Sequence, residues 1–222
     1  MDHPPQLPDL APHPVLTNHY AQPEDRVGYI RHLFDRTADK YDRINSLMSL
    51  SRGEQYRREA MIRAGITEGQ RVLDCACGTG VMAAHAQSLV GKYGEVIALD
   101  PSLPMLTVAG RRGIRKRLAG IAERLPLPDD SVDVITMGYA LRHVADLGVT
   151  FSEFARVLRP RGRLLILEIV PPESHAGYFF AKLYLKHLVP TLAYPVTRCA
   201  DSRQLMRYYW DTIEKCVPPA VV

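Results

Sequence analysis

The residues best placed to do chemistry lie where Val72-Leu73-Asp74-Cys75-Ala76-Cys77-Gly78-Thr79-Gly80 runs from an apolar stretch into a glycine-bounded turn. Gly78 and Gly80 permit a tight turn and bring backbone N–H groups close to a ligand at the start of a helix. Asp100 stands twenty residues beyond Gly80, at the end of the next apolar run. There a carboxylate can accept both hydroxyls of a ribose. Turn, spacing and acid together predict a nucleoside site. Gly78-x-Gly80-x-x-Ala83 also satisfies the dinucleotide pattern, so the glycines alone leave two cofactor classes open.

The elements that must hold these residues read as an alternation of strands and helices. Apolar runs at Val72–Ala76, Val96–Leu99, Val132–Met137 and Leu164–Ile169 suit buried strands, with a weak one over 117–122. Helical spacing occupies 81–90, the segment after Ser102, and 147–158, and Pro160-Arg161-Gly162 reads as a turn. Strand–helix alternation predicts right-handed crossovers and an α/β, Rossmann-like parallel sheet with helices on both faces. Ligands of such sheets bind beyond the carboxyl ends of the strands. That end carries the Cys77–Gly80 turn, Asp100, the Gly138–His143 stretch and Glu168.

The expected organisation is one domain over 26–222: a helical cap at 26–65, the core at 70–170 and a helical, substrate-side segment at 171–222. Residues 1–25, with six prolines and no apolar h-region, read as a flexible arm rather than a secretory signal. No strand pair follows Ile169, which leaves Leu164–Ile169 as an apolar sheet edge. That edge predicts either a homodimer or a chain short of its natural end. Pro218–Val222 reads as the start of a helix.

Composition bounds the partners. The chain has 222 residues, 46% hydrophobic and 23% charged, with a net charge of +4 and four scattered cysteines. This is an ordinary globular balance, and the cysteines read as reduced thiols in a cytoplasmic protein. The run Arg111, Arg112, Arg115, Lys116, Arg117 is either a solvated helix end or a contact with an anionic membrane surface. No apolar run approaches the roughly 18 residues that span a bilayer. The histidines lack metal-ligand spacing, so no metal is expected. Tyr178, Phe179, Phe180, Leu183, Tyr184, Leu185 and Leu188 form an aromatic-rich stretch, read either as a buried or dimer face or as an acceptor lid touching lipid.

Several ordered motifs resemble those of the ubiquinone/menaquinone biosynthesis C-methyltransferases, within the class I S-adenosylmethionine (SAM)-dependent methyltransferases. They are Phe34-Asp35-x-x-Ala38-x-Lys40-Tyr41-Asp42-x-x-Asn45-x-x-Met48-Ser49, Ala122-Glu123-x-Leu125-Pro126-x-Pro128-Asp129, Leu141-Arg142-His143-Val144-x-Asp146, and Arg156 through Leu164 with Leu167-Glu168. The resemblance covers about residues 26–215 and implies SAM as methyl donor, S-adenosylhomocysteine as product, no metal, and methylation at the ring carbon of a small lipophilic hydroquinone. It favours SAM over a dinucleotide, as do Asp74 before the turn and the helical segment before the first strand. It implies cofactor contacts at Tyr41, Asp74, Cys77, Gly78, Thr79, Gly80, Asp100, Pro101, Ile121, Ala122 and Gly138. The resemblance places Arg142 beside the acceptor, and His143 and Tyr139 join it as candidate catalytic residues on their own chemistry and position. Arg142 would bind or orient a hydroxyl, phenolate or water. His143 is either a base or a loop residue, and Tyr139 lines the pocket.

This chain departs from the family where Ile121 replaces Asn or Asp, Gly138 replaces Ser, His143 replaces Asn and Tyr56 replaces Trp. The departures admit a changed acceptor. Natural-product C- or O-methylation, transfer of another group, and a non-catalytic SAM-binding subunit are the alternatives. Nucleic acid is not expected, because no Asn-Pro-Pro-Tyr-type motif follows the fourth strand. Peripheral membrane contact is expected from the lipophilic acceptor.

Overall fold

Short runs of Val, Ile and Leu form one parallel sheet of five strands in a computed structural model, which describes residues 10–22, 24–49 and 52–218. The strands are β1 (Arg71–Cys75), β2 (Glu95–Asp100), β3 (Lys116–Ala119), β4 (Val132–Gly138) and β5 (Leu158–Leu167), ordered β3-β2-β1-β4-β5. In register, Leu73 lies beside Ile97 on one side and Ile135 on the other. The chain winds outward from β1 through β2 to β3, then returns to build β4 and β5 on the opposite side. The crevice at this reversal is the favoured ligand position.

Alternate residues of the central strands face opposite layers. Leu73, Ile97, Ile135 and Met137 pack with Phe154 and Val157 of α6 (Leu147–Val157). Val72, Val96, Ala98 and Val134 pack with Ala83, Ala86 and Val90 of α4 (Val81–Val90). Because both faces are covered, the strands read in the sequence as continuous apolar runs. α5 (Leu103–Arg111) is started by Ser102, whose hydroxyl accepts the Met105 N–H at 3.2 Å.

Above the carboxyl ends of the strands lies a separate core shared by the two ends of the chain. The cap comprises α1 (Asp25–Thr37), α2 (Tyr41–Met48) and α3 (Gly53–Arg63). The last segment folds as α7 (His175–Lys182), a π-helical turn (Leu183–Leu188), α8 (Val189–Thr197) and α9 (Ala200–Lys215). Ile30, Leu33 and Ile44 from the cap bury against Val189, Ala193, Leu205, Met206, Tyr208 and Tyr209.

Three expectations change. Leu10–Tyr20 is not a loose arm: Leu16 and Tyr20 bury in that shared core, and Leu147 N–H donates to the Leu10 carbonyl at 3.0 Å. The Pro-rich composition concealed those anchors; residues 1–9 lie outside the described ones. The turn at Pro160–Gly162 is an irregularity inside β5, which begins at Leu158 and shifts register between Val132 and Val134, with Arg161 at φ +67°. The basic run is largely tied down, through Arg111 to Asp39, Arg112 to Asp42 and Lys116 to Glu95. Among the described residues no strand follows Leu167 and no helix is long and apolar enough to cross a membrane. The helix start at Pro218–Val222 falls, beyond Pro218, outside the described residues.

Candidate active site

The turn after β1 is built by backbone that leaves the ordinary regions. Ala76, Gly78 and Gly80 have φ of +54°, +54° and +79°. At Gly80 a side chain is also excluded by space, since a Cβ would lie 2.8 Å from that of Ala109 on α5. The turn is fastened to the next strand: Cys77 N–H donates to the Leu99 carbonyl at 2.9 Å, and Gly78 N–H to Asp100 Oδ2 at 2.8 Å. The other oxygen, Oδ1, accepts the Ser102 N–H at 2.8 Å. Burial pushes the Asp100 carboxyl up to about 6, against the pull of these two N–H groups.

Asp74 lies one strand over, fully enclosed. Its Oδ1 accepts the Thr136 hydroxyl at 2.8 Å, while Oδ2 has no hydrogen-bond partner. Burial raises its pKa to about 7, with the Thr136 hydrogen bond opposing. A buried carboxylate oxygen left open beside a cavity is a ready acceptor for a cationic group.

Two cavities of about 310 and 230 Å³ meet along Tyr41, Ala76, Gly78, Gly138 and Tyr139. The smaller is lined by Asp100, Pro101, Ile121, Ala122 and His143. The larger takes Asp74, Cys77, Thr79 and Arg142 and has an apolar wall of Met48, Ile169, Tyr184 and Leu185. The fold thus gathers the candidate residues around one divided crevice, apart from Glu168, which pairs with Arg142, and Gly80, which lines neither cavity. Its requirement is packing against α5, not ligand contact. Ile121 sits at the rim, and the Thr79 hydroxyl is turned away to donate to Asp42 Oδ1 at 2.7 Å.

Arg142 and His143 are sequence neighbours that serve opposite cavities. The Arg142 guanidinium is fully buried; it ion-pairs with Glu168, donates from Nε to Thr212 Oγ1 at 3.2 Å, and lies 4.9 Å over the Tyr209 ring. Its Nη2 has no partner. Burial, the largest single influence, would lower its pKa, but Glu168 together with Tyr209, Tyr41 and Tyr208 holds it above the ordinary value. His143 stacks between Tyr208 and Tyr209, with ring centroids 5.4 and 5.8 Å away, and its Nδ1 meets Tyr208 Oη at 3.1 Å. Burial, then Arg142, holds its pKa well below the usual value, so it stays neutral. Tyr139, at φ +60°, lies under the Arg57 guanidinium at 4.8 Å. Strained non-glycine backbone at Ala76 and Tyr139 therefore ends two adjacent strands at the junction of the cavities.

Arg57, Tyr209 and Met82 were not anticipated. Tyr209 is reached by the i, i+3, i+4 spacing Leu205, Met206, Tyr209, Ile213, which marks a buried helix face. The signal for Arg57 was its place directly after Tyr56, which stands where the family has the Trp of a Trp-Arg element.

The pattern of the ubiE/COQ5 methyltransferase family matches residues 21–218. The chain belongs to this family. It is 35% identical over 193 residues to a demethylmenaquinone methyltransferase of Symbiobacterium thermophilum, covering 84% of this chain and 77% of the relative. It is 36% identical over 197 residues to a ubiquinone/menaquinone biosynthesis C-methyltransferase of Edwardsiella ictaluri, covering 85% and 77%. A SAM-dependent methyltransferase from Aquifex aeolicus superposes with a TM-score of 0.53 at 25% identity, over 65% of this chain and 85% of that one. As a ubiE/COQ5 family member the chain is a SAM-dependent methyltransferase.

The residues present fit that donor. Asp100 fits the ribose of a nucleoside of either class, whereas the buried Asp74 beside the glycine turn suits a cationic donor and opposes a pyrophosphate. Asp100 would take the ribose hydroxyls, the Asp74 carboxylate an ammonium, and Ala122 with Ile121 the apolar adenine face.

Proposed function

We propose that this methyltransferase delivers the methyl group to a ring carbon of a lipophilic, hydroquinone-type aromatic acceptor. One observation carries the reading: an apolar cavity holding a buried, partly unsatisfied guanidinium shares its wall with the nucleoside cavity, at Gly138 and Tyr139. SAM supplies an electrophilic methyl on a sulfonium, which leaves as a neutral thioether. The residues of the chain must align the acceptor carbon with that methyl and keep water out; alignment of this kind supplies several kcal/mol.

Arg142 performs a further task of the site. Its open Nη2 donates to a ring hydroxyl and favours the phenolate, which places negative charge on the ring carbons ortho and para to it. The hydroxyl proton is lost to bulk water as the acceptor binds, before water is excluded, and the ring C–H proton is released to water after the carbon–methyl bond has formed. Burial and the neighbouring guanidinium both oppose charge on His143, which supports a role in the aromatic wall with Tyr208 and Tyr209 rather than as the general base. Tyr184 and Leu185 offer apolar surface to the acceptor.

The test is incubation with isotope-labelled SAM and a panel of demethylated hydroquinones, followed by mass spectrometry of the products. Label on a ring carbon is expected. Label on oxygen, or no product from any hydroquinone, overturns the proposal.

A further inference from the structure

Large exposed apolar side chains gather on one stretch of the chain. Phe179 and Phe180 are 61% and 65% exposed, and Leu183 and Leu188 are also exposed. They sit on the α7 and π-helical segment, whose other side chains Ala181, Tyr184 and Leu185 line the larger cavity. Helical spacing explains the division: Phe179, Phe180 and Leu183 fall on one face, and Ala181, Tyr184 and Leu185 on the opposite one. One turn of helix therefore separates outside from acceptor space. A π-helical turn, with its wider backbone, is a feature met mostly at functional positions.

We propose that the outer face of α7 and the π-helical turn docks on an anionic lipid surface, so that the acceptor enters the larger cavity from lipid. Charge selects this occupant over another apolar partner. From Ser174 to Ala200 the sequence contains no Asp or Glu, while Lys182 and Lys186 follow the aromatic pair within two turns and Arg198 adds a third positive charge at the end of α8. One of these, Lys182, is anchored to Glu214 at 2.9 Å, which holds its helix against α9. Exposed aromatics flanked by lysines are the pattern of interfacial helices, in which apolar burial and attraction to anionic headgroups act together. The entry route rests on the lipophilic acceptor proposed above; the docking does not.

The experiment is co-sedimentation of the full chain with vesicles of phosphatidylcholine alone and of phosphatidylcholine with about a third phosphatidylglycerol. The wild-type chain is expected to pellet with the anionic vesicles and to be released by salt. The Phe179→Ser/Phe180→Ser variant should lose about tenfold or more of this partition, and Lys186→Glu should lose several-fold. SAM affinity by calorimetry should remain that of the wild type in both, because neither change touches a cavity-lining residue, and the double variant should keep the wild-type thermal melt. Tyr93→Ser, which alters an exposed aromatic far along the chain in the loop before β2, should bind vesicles normally. Equal pelleting of wild type and double variant overturns the docking face, as does no pelleting at all. A concentration-dependent dimer in analytical ultracentrifugation that the double variant abolishes overturns it in favour of a second copy of the chain. Vesicle binding with no methylated hydroquinone would sink the acceptor and leave the docking intact.

Discussion

The guanidinium of Arg142 donates from Nη1 to Glu168 Oε1 in a pair nearly closed to water, with side-chain exposures of 1% and 14%. The same Glu168 oxygen accepts the Ile169 N–H at 2.9 Å, so the acid is fixed from its own backbone while it fixes the base. From the other side, Arg26 Nη2 donates to the Arg142 carbonyl at 2.9 Å. The loop after β4 is thereby held at both main chain and side chain, and Nη2 is the one nitrogen of the Arg142 guanidinium left without a partner.

This asymmetry separates stability from activity. Glu168→Gln leaves a buried guanidinium without its counter-charge and should cost about 3–5 kcal/mol of stability. Arg142→Met leaves a carboxylate that can still reach water at its 14% exposure, so its stability cost should be smaller. Its kcat should fall by about 100-fold, the range for losing one charge-stabilising donor, with the SAM dissociation constant changed less than about twofold. Urea melts, calorimetry and single-turnover assays read all three quantities. Full turnover in Arg142→Met would remove the residue from the chemistry.

SAM affinity should fall on acidification. Asp74 and Asp100 titrate near 7 and 6 because burial opposes their charge, and an ammonium and ribose hydroxyls favour the ionised forms. Both groups are proton-bound at low pH, so binding must release protons. Affinity should be full above about pH 8 and fall as pH drops through 7 and then 6. Below the lower value each pH unit costs about tenfold per carboxylate. The same raised values mean that, without ligand, these two acids make the fold less stable as pH rises from about 4 to 7. Titration calorimetry in buffers of different ionisation enthalpy measures the released protons. A dissociation constant that stays level from pH 8 to 5 contradicts the assignment of either acid to the donor.

Gly138 differs from the serine usual in the family, and its neighbour supplies the reason. A Cβ at Gly138 would lie 2.3 Å from Met82 Sδ, and Met82 is buried on α4. Gly138→Ser alone should therefore cost about 1–3 kcal/mol, the ordinary range for overpacking. Met82→Ala in the same chain should recover much of that loss, giving a clear interaction term in a double-mutant cycle. Additive effects in thermal melts would show that the thioether swings aside freely.

What could be read in advance follows the range of the forces involved. β1 and β2 were legible because strands buried on both faces are written as apolar runs, and Gly78 with Asp100 because turn and strand end are local features at fixed spacing. β5 was misplaced because Pro160-x-Gly162 is turn chemistry, absorbed here by a register shift that only the partner strand β4 reveals. β3, an exposed edge of four residues, lacked an apolar run to announce it. Leu16 and Tyr20 were hidden among prolines, since their burial depends on helices nearly two hundred residues away. The pairing of Arg142 with Tyr209, and of Arg57 with Tyr139, is likewise tertiary. Gly80 was legible as a required glycine, but the reason lies in Ala109 behind it rather than in the ligand.

Asp42 is the point at which the cap is locked to the cofactor turn. Its Oδ1 accepts the Thr79 hydroxyl at 2.7 Å and its Oδ2 the Arg112 guanidinium at 2.5 Å. The two bonds differ in strength. The Arg112 pair is partly exposed and contributes at most about 1 kcal/mol. The Thr79 hydroxyl is buried, 2% exposed, and losing its acceptor costs about 1–3 kcal/mol. Asp42→Asn keeps an acceptor for Thr79 and loses only the ion pair, whereas Asp42→Ala loses both. If the cap must loosen for SAM to leave, stopped-flow release should speed up about tenfold in Asp42→Ala and less than about threefold in Asp42→Asn. Equal release from both variants and the wild type would mean that the nucleoside leaves without disturbing α2.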